Sequence, residues 1–202
     1  MTESVAQAAL DRALEEKDLL LVYQPIHDAR TREIYSAEAL LRQRRQTGEI
    51  REASIITAAA EQGPELSTLD SWTVKQALTD AAAWPCLLNV NLSAREFQET
   101  DIVSRLREIT SSCGIDLRKL NLELTETSYI ERPEETIPVF EELKHLGVGL
   151  WLDDFGTKHS NIEHLQHFPA DGLKLAGSLV APLPGDARAR KIARNLARMD
   201  FF

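Results

Sequence analysis

The sequence predicts an α/β fold, a largely parallel sheet rolled into a (β/α) barrel with a site at its C-terminal mouth. Three observations lead there. Short apolar runs alternate with amphipathic helical stretches along the chain, the order that gives parallel strands joined by right-handed crossovers. Each strand-like run is apolar at every second residue, so one face can pack on helices while the other turns polar. Three of these polar faces carry acid: Glu38, Glu123 and Asp153. An open doubly wound sheet fits the same element order, but it would bury both faces of its strands along most of their length. A barrel with its site at the mouth would not.

The elements follow in order. Residues 2–17 read as a charged amphipathic helix rather than a signal peptide. Leu19 to Ile26 is the first strand and Ile34 to Leu41 the second. Helical patterns cover 53–62 and 66–83, separated by Gly63-Pro64. Leu87 to Leu92 is the third strand, and Ser93 after it has the chemistry of a helix N-cap. A helix over 99–112 ends near Gly114. Strand four is 120–124. A helix over 133–145 stops before Gly147, which suits the left-handed residue that follows a helix. Strand five is 148–153, a short helix covers 160–167, and Leu173-Lys174-Leu175 is a sixth, short strand. A basic helix over 186–199 follows, with Ile192 and Leu196 on one face. One domain is expected over 1–202, with its motif-bearing core at 19–180.

Charge and composition narrow the function. A net charge of −9 argues against a nucleic-acid polymer or an anionic membrane as the main partner. No apolar run reaches membrane-spanning length. Cys86 and Cys113 stand without metal-ligand spacing, as small buried thiols do in a reducing compartment. The expected location is the cytoplasm. His164 and His167 lie three apart with no third ligand near in sequence, so no zinc site is expected there.

The run Leu150-Trp151-Leu152-Asp153-Asp154-Phe155-Gly156-Thr157 is the most informative. Two adjacent carboxylates at a strand end repel one another unless a cation or donor sits there. With Glu38, Asn91 and Glu123 they make an oxygen-only donor set, which suits Mg²⁺ or Mn²⁺ rather than zinc. Five such groups could hold two ions about 3.5–4 Å apart, an arrangement that activates water against a phosphate ester. Lys174 could polarise that water, and Arg42, four residues past Glu38 and just beyond the strand end, could grip phosphate.

These motifs resemble the EAL domain family. The matching segments are Tyr23-Gln24-Pro25, Glu38-Ala39-Leu40-Leu41-Arg42, Asn89-Val90-Asn91-Leu92-Ser93, Glu123-Leu124-Thr125-Glu126 and Asp153-Asp154-Phe155-Gly156-Thr157, then Lys174. The resemblance implies a modified, TIM-like (β/α)₈ barrel whose first strand runs antiparallel to the rest. It implies Mg²⁺- or Mn²⁺-dependent hydrolysis of cyclic di-GMP to pGpG in bacterial signalling. By position, Glu38, Asn91, Glu123 and Asp153 would bind a first metal and Asp154 a second. Lys174 would hold the attacking water, Glu126 would brace the loop after strand five, and Gln24 and Arg42 would face the nucleotide.

The sequence also departs from the family pattern. Lys158-His159-Ser160-Asn161 replaces a Gly-Tyr-Ser-Ser segment, and Ala176 stands where the family has a second-metal aspartate. Gln43-Arg44-Arg45-Gln46 lacks the usual aromatic and proline residues. Glu163 is the last glutamate, so the family's late catalytic glutamate has no counterpart. Only six strands are visible, against the roughly 250 residues a full barrel uses. Two open sheet edges would result, which invite a second copy or a protein partner. A truncated domain, a swapped oligomer and a compact remnant are the alternatives. The expected function is impaired hydrolysis of cyclic di-GMP. The alternative is a non-catalytic module that binds the nucleotide or a regulatory protein.

Overall fold

The computed structural model describes residues 3–16, 18–61, 63, 65–99, 101–113, 116–125, 133–156 and 169–197. Helix α1 (Glu3–Glu15) leads into strands β1 (Leu19–His27), β2 (Ile34–Arg44) and β3 (Ile50–Glu52). Helices α2 (Ser54–Ala60) and α3 (Glu65–Ala81) precede β4 (Leu87–Asn91). Then come α4 (Ala94–Glu99), α5 (Ile102–Cys113), β5 (Leu120–Thr125), α6 (Pro133–His145) and β6 (Gly149–Phe155). Strand β7 (Gly172–Leu175), α7 (Gly177–Val180) and α8 (Ala187–Leu196) complete the described elements.

One sheet runs in the order β1-β2-β4-β5-β6-β7, with β3 beside the end of β2. β1 pairs antiparallel with β2, and every later pair along the path is parallel. The antiparallel first strand is therefore present. Among the described residues β1 and β7 each pair on one side only, so the sheet curves without closing. Asp28 fixes the β1–β2 connection: its Oδ1 accepts from the N–H groups of Arg30 and Thr31, both at 2.8 Å. Such an Asx turn lets a short loop reverse the chain.

Strand alternation builds the core. Leu88, Val90, Leu92, Leu120, Leu122, Leu124, Val148, Leu150 and Leu152 point to the outer face and form one cluster with α3, α5 and α6 side chains such as Leu78, Leu106 and Phe140. A smaller cluster joins α1 (Leu10, Ala13) to Leu19, Ile56, Leu66 and Leu69. Gly147 takes φ +85° just past α6, the left-handed geometry its position suggests.

Several sequence expectations need correction. The helix expected over 99–112 is α5, which starts later, at Ile102, where the Asp101 side chain accepts from Ser104 N–H at 3.0 Å and caps it; Glu99 instead ends the separate helix α4. Among the described residues the buried Ser93 hydroxyl has no partner and does not cap α4; its N–H instead donates to the Asp70 carboxylate. A seventh strand, β3, escaped the apolar pattern because Ile50-Arg51-Glu52 carries two charges. Glu126, the Thr157–Asn161 segment, the 160–167 helix, His164 and His167 lie outside the described residues.

Candidate metal and phosphate-ester site

The parallel pairing decides which polar residues meet. Glu38 stands opposite Asn89, Asn91 opposite Glu123, and Thr125 opposite Asp153. The site residues are offset by two between β2 (Glu38, opposite Asn89) and β4 (Asn91), and again between β5 (Glu123, opposite Trp151) and β6 (Asp153), the kind of stagger that tilts strands in a barrel. That stagger brings the acids to one height. Carboxylate oxygens of Glu38, Glu123 and Asp153 lie within 4.8 Å of one another, a group able to hold a metal ion. Asn91 joins them, its Nδ2 donating to Glu38 Oε1 at 2.8 Å.

Lys174 of β7 reaches into the same point. Its Nζ donates to Glu123 Oε2 at 2.7 Å and to Glu38 Oε2 at 2.9 Å, and lies 3.4 Å from Asp153 Oδ2. One ammonium thus bridges three carboxylates from three strands. Burial by itself would lower the Lys174 pKa, but the hydrogen bonds to Glu123 and Glu38 and the charge of Asp153 outweigh it and hold the pKa above its ordinary value. Burial raises the Glu123 pKa, against the hydrogen bonds from Asn89 and Lys174.

Two buried amides, not singled out as site residues in the sequence, support Glu123. Asn121 Nδ2 donates to Asn89 Oδ1 at 3.0 Å, and Asn89 Nδ2 donates to Glu123 Oε1 at 2.7 Å. The relay holds Glu123 Oε1 while Lys174 Nζ donates to Oε2, so the carboxylate is oriented before any ligand arrives. Gly149 is part of this arrangement, because a Cβ there would lie 2.1 Å from Asn121 Oδ1. The signal was available: Asn89 and Asn121 lie two residues before Asn91 and Glu123, on the same strand faces.

The other predicted residues are spread around this centre. Asp154 is exposed and left-handed (φ +54°) at the irregularity where β6 meets β7, outside the group of three acids. Its N–H donates to Asp153 Oδ1 at 2.8 Å, which fixes the Asp153 carboxylate. Gln24 lies opposite Glu38 across the β1–β2 pair, on the same face. Arg42 is a correction: it sits within β2, not beyond its end, because β2 continues to Arg44 and pairs with β3 there. It shares the Glu38 face two pleats on, about 13 Å along the strand, with Nη1 donating to Leu41 O at 2.9 Å. Ala176 is buried, and its N–H donates to Phe155 O at 3.0 Å, so position 176 abuts the segment that carries Asp154.

Known proteins match along almost the entire chain. The family model described as the EAL domain matches residues 7–199. The cyclic di-GMP phosphodiesterase NbdA of Pseudomonas aeruginosa is 31% identical over 94% of this chain and 25% of its own length. The oxygen sensor protein DosP of Escherichia coli is 33% identical over 87% of this chain and 23% of its own length. The chain therefore spans about a quarter of these relatives. Among solved structures, the PaMucR phosphodiesterase in its c-di-GMP complex is 27% identical, with a TM-score of 0.82 over 93% of this chain and 78% of that one. The FimX EAL domain of Pseudomonas aeruginosa, bound to c-di-GMP, shares the fold at a TM-score of 0.85 and 21% identity, over 95% and 79% of the two chains. Strand order, the converging acids and the family match lead to one conclusion: this chain belongs to the EAL domain family.

Proposed function

We propose that residues 1–202 act as one domain of cytoplasmic bacterial signalling that binds cyclic di-GMP at the barrel mouth and hydrolyses it slowly to pGpG. One observation carries this reading: three carboxylates and an amide, from four separate strands, converge on one point. The likeness to NbdA and to the PaMucR phosphodiesterase supplies the substrate class.

The donors fit a hard cation. Glu38, Asn91, Glu123 and Asp153 offer only oxygen ligands, and the site already accommodates a positive charge, the Lys174 ammonium. Mg²⁺ or Mn²⁺ held there would supply Lewis-acid activation and neutralise phosphate charge. Lys174 would hold the attacking water or a phosphate oxygen through its three donors. Gln24 and Arg42, on the Glu38 face, would contact the nucleotide, and Glu126 would brace the loop after β6.

A second cation fits poorly. Asp154 offers one exposed carboxylate, and Ala176 presents a methyl group where the family resemblance implies another. Losing a metal ligand removes about 10²-fold or more from a two-metal reaction. The buried Ala176 also favours a second reading, a non-catalytic module that binds cyclic di-GMP and signals by contact. The edges of β1 and β7, unpaired among the described residues, would then take a second copy or a regulatory partner.

The test is to incubate the protein with cyclic di-GMP and Mg²⁺ or Mn²⁺, follow pGpG by chromatography and measure binding by calorimetry. Cation-dependent binding with slow turnover that Glu38→Ala abolishes is the expected result. Binding without turnover selects the second reading. Absence of binding in either metal overturns both.

A further inference from the structure

Arg44, Arg45 and Arg51, around the β2–β3 turn, have no part in the site above, yet they line a separate cavity. This cavity, about 640 Å³, opens between α1 and the β2–β3 hairpin, and Arg12, Arg44, Arg45, Arg51, Asp18 and Gln43 line it. The hairpin is set by backbone: Arg45 N–H donates to Glu49 O and Gly48 N–H to Arg45 O, both at 2.8 Å. Gln43 faces Arg51 across it. Arg45 and Arg51 are therefore diagonal neighbours on one face, about 7–8 Å apart. Arg12 approaches from α1, where it pairs with Glu16 at 2.8 Å. Among the described residues Arg44, Arg45 and Arg51 have no acidic side chain within ion-pair distance, and Glu49 makes no ion pair with Arg45. Asp18 is the single acid in the wall.

Gln43 stands opposite Arg51 and Glu49 opposite Arg45, so no like charge lies directly across the ladder from either guanidinium group, and the two share a face only diagonally. We propose that this cavity binds a small pyrophosphate-bearing ligand of the nucleoside di- or triphosphate class. The volume lies within the range of roughly 300–1,000 Å³ usual for small-molecule sites. Guanidinium forks match phosphate oxygens in pairs, and two forks at diagonal positions can straddle adjacent phosphates. A chain of net charge −9 repels long polyanions, while a short anion meets only the local field. The site is distinct from the carboxylate centre, because Arg44 stands six residues beyond Glu38 on β2, about 20 Å along the strand.

The experiment is calorimetric titration with inorganic pyrophosphate, and separately with ATP, at low salt. It compares the wild-type chain with Arg45→Gln/Arg51→Gln and with Glu38→Ala. Saturable binding is expected in the wild type and in Glu38→Ala. The double variant should weaken it about a hundredfold, near tenfold per charged hydrogen-bonding group, with an unchanged melting temperature. Arg51→Lys alone should weaken binding while keeping the charge. The proposal is overturned by no saturable binding at millimolar pyrophosphate, by equal binding in the double variant, by loss of binding in Glu38→Ala, or by displacement of pyrophosphate at lower concentration by polyglutamate.

Discussion

Replacing Lys174 by Met tests whether the ammonium acts as the site's internal cation. Its Nζ lies 2.7, 2.9 and 3.4 Å from three carboxylates. Those carboxylates approach within 4.8 Å of one another, and the Glu123 side chain is fully buried. At that separation, and at an effective dielectric constant near 20, each like-charge pair repels by about 3.5 kcal/mol. Removing one partner from a buried ion pair destabilises a protein by about 3–5 kcal/mol. Lys174 is partly exposed, so the lower end applies: about 3 kcal/mol, or a fall in melting temperature of about 6–12 °C for a chain of this size. The assay is thermal unfolding with and without Mn²⁺. A cation at a hundred times its dissociation constant returns about 2.7 kcal/mol, so Mn²⁺ should restore most of the loss in the variant. In the wild type the ion must first displace the ammonium, so the same Mn²⁺ concentration should shift the melting temperature by less than half as much. A loss below about 1 kcal/mol, or equal Mn²⁺ shifts in the two proteins, would refute the reasoning.

Three further outcomes follow from the geometry. Gly149→Ala should destabilise by about 1–3 kcal/mol through overpacking against Asn121, and should weaken Mn²⁺ binding by disturbing the Asn121–Asn89–Glu123 relay. Calorimetry and urea unfolding would check both. Ala176→Asp, beside the Asp154 segment, should raise pGpG formation with Mn²⁺ about tenfold or more, at some loss of stability from burying a carboxylate. Unchanged turnover would place the defect elsewhere. Burial raises the Asp70 pKa to about 7, against the Ser93 N–H bond and the Arg105 charge. The folded state then holds this proton longer than the unfolded chain does. Stability should therefore fall as pH rises from about 4 to 7, by at most about 1.4 kcal/mol for each tenfold drop in proton concentration. Asp70→Asn should flatten that slope in urea melts.

Strand phase made the centre legible. Glu38, Asn91, Glu123 and Asp153 occupy the polar phase of their strands, and parallel pairing with two-residue offsets at β2–β4 and β5–β6 brings them together. The Asn89 and Asn121 relay stayed hidden because a buried amide looks like any polar strand residue until its partner is placed. Arg42 was misplaced for a different reason. The apolar pattern of β2 stops at Leu41, but the strand continues to Arg44 because β3 pairs with it, and that pairing depends on a hairpin rather than on hydrophobicity. The break between α4 and α5 turns on the single cap at Asp101, which periodicity does not register.

The β1–β2 hairpin also sets an order of assembly. It joins Gln24 to Glu38 through a short local turn, the kind of contact that forms within microseconds. The Glu38–Lys174 bond closes 136 residues of chain and waits for every parallel pairing between. During synthesis the β1–β2 side of the mouth can therefore fold early, while the site's three acids stay without their ammonium until β7 docks.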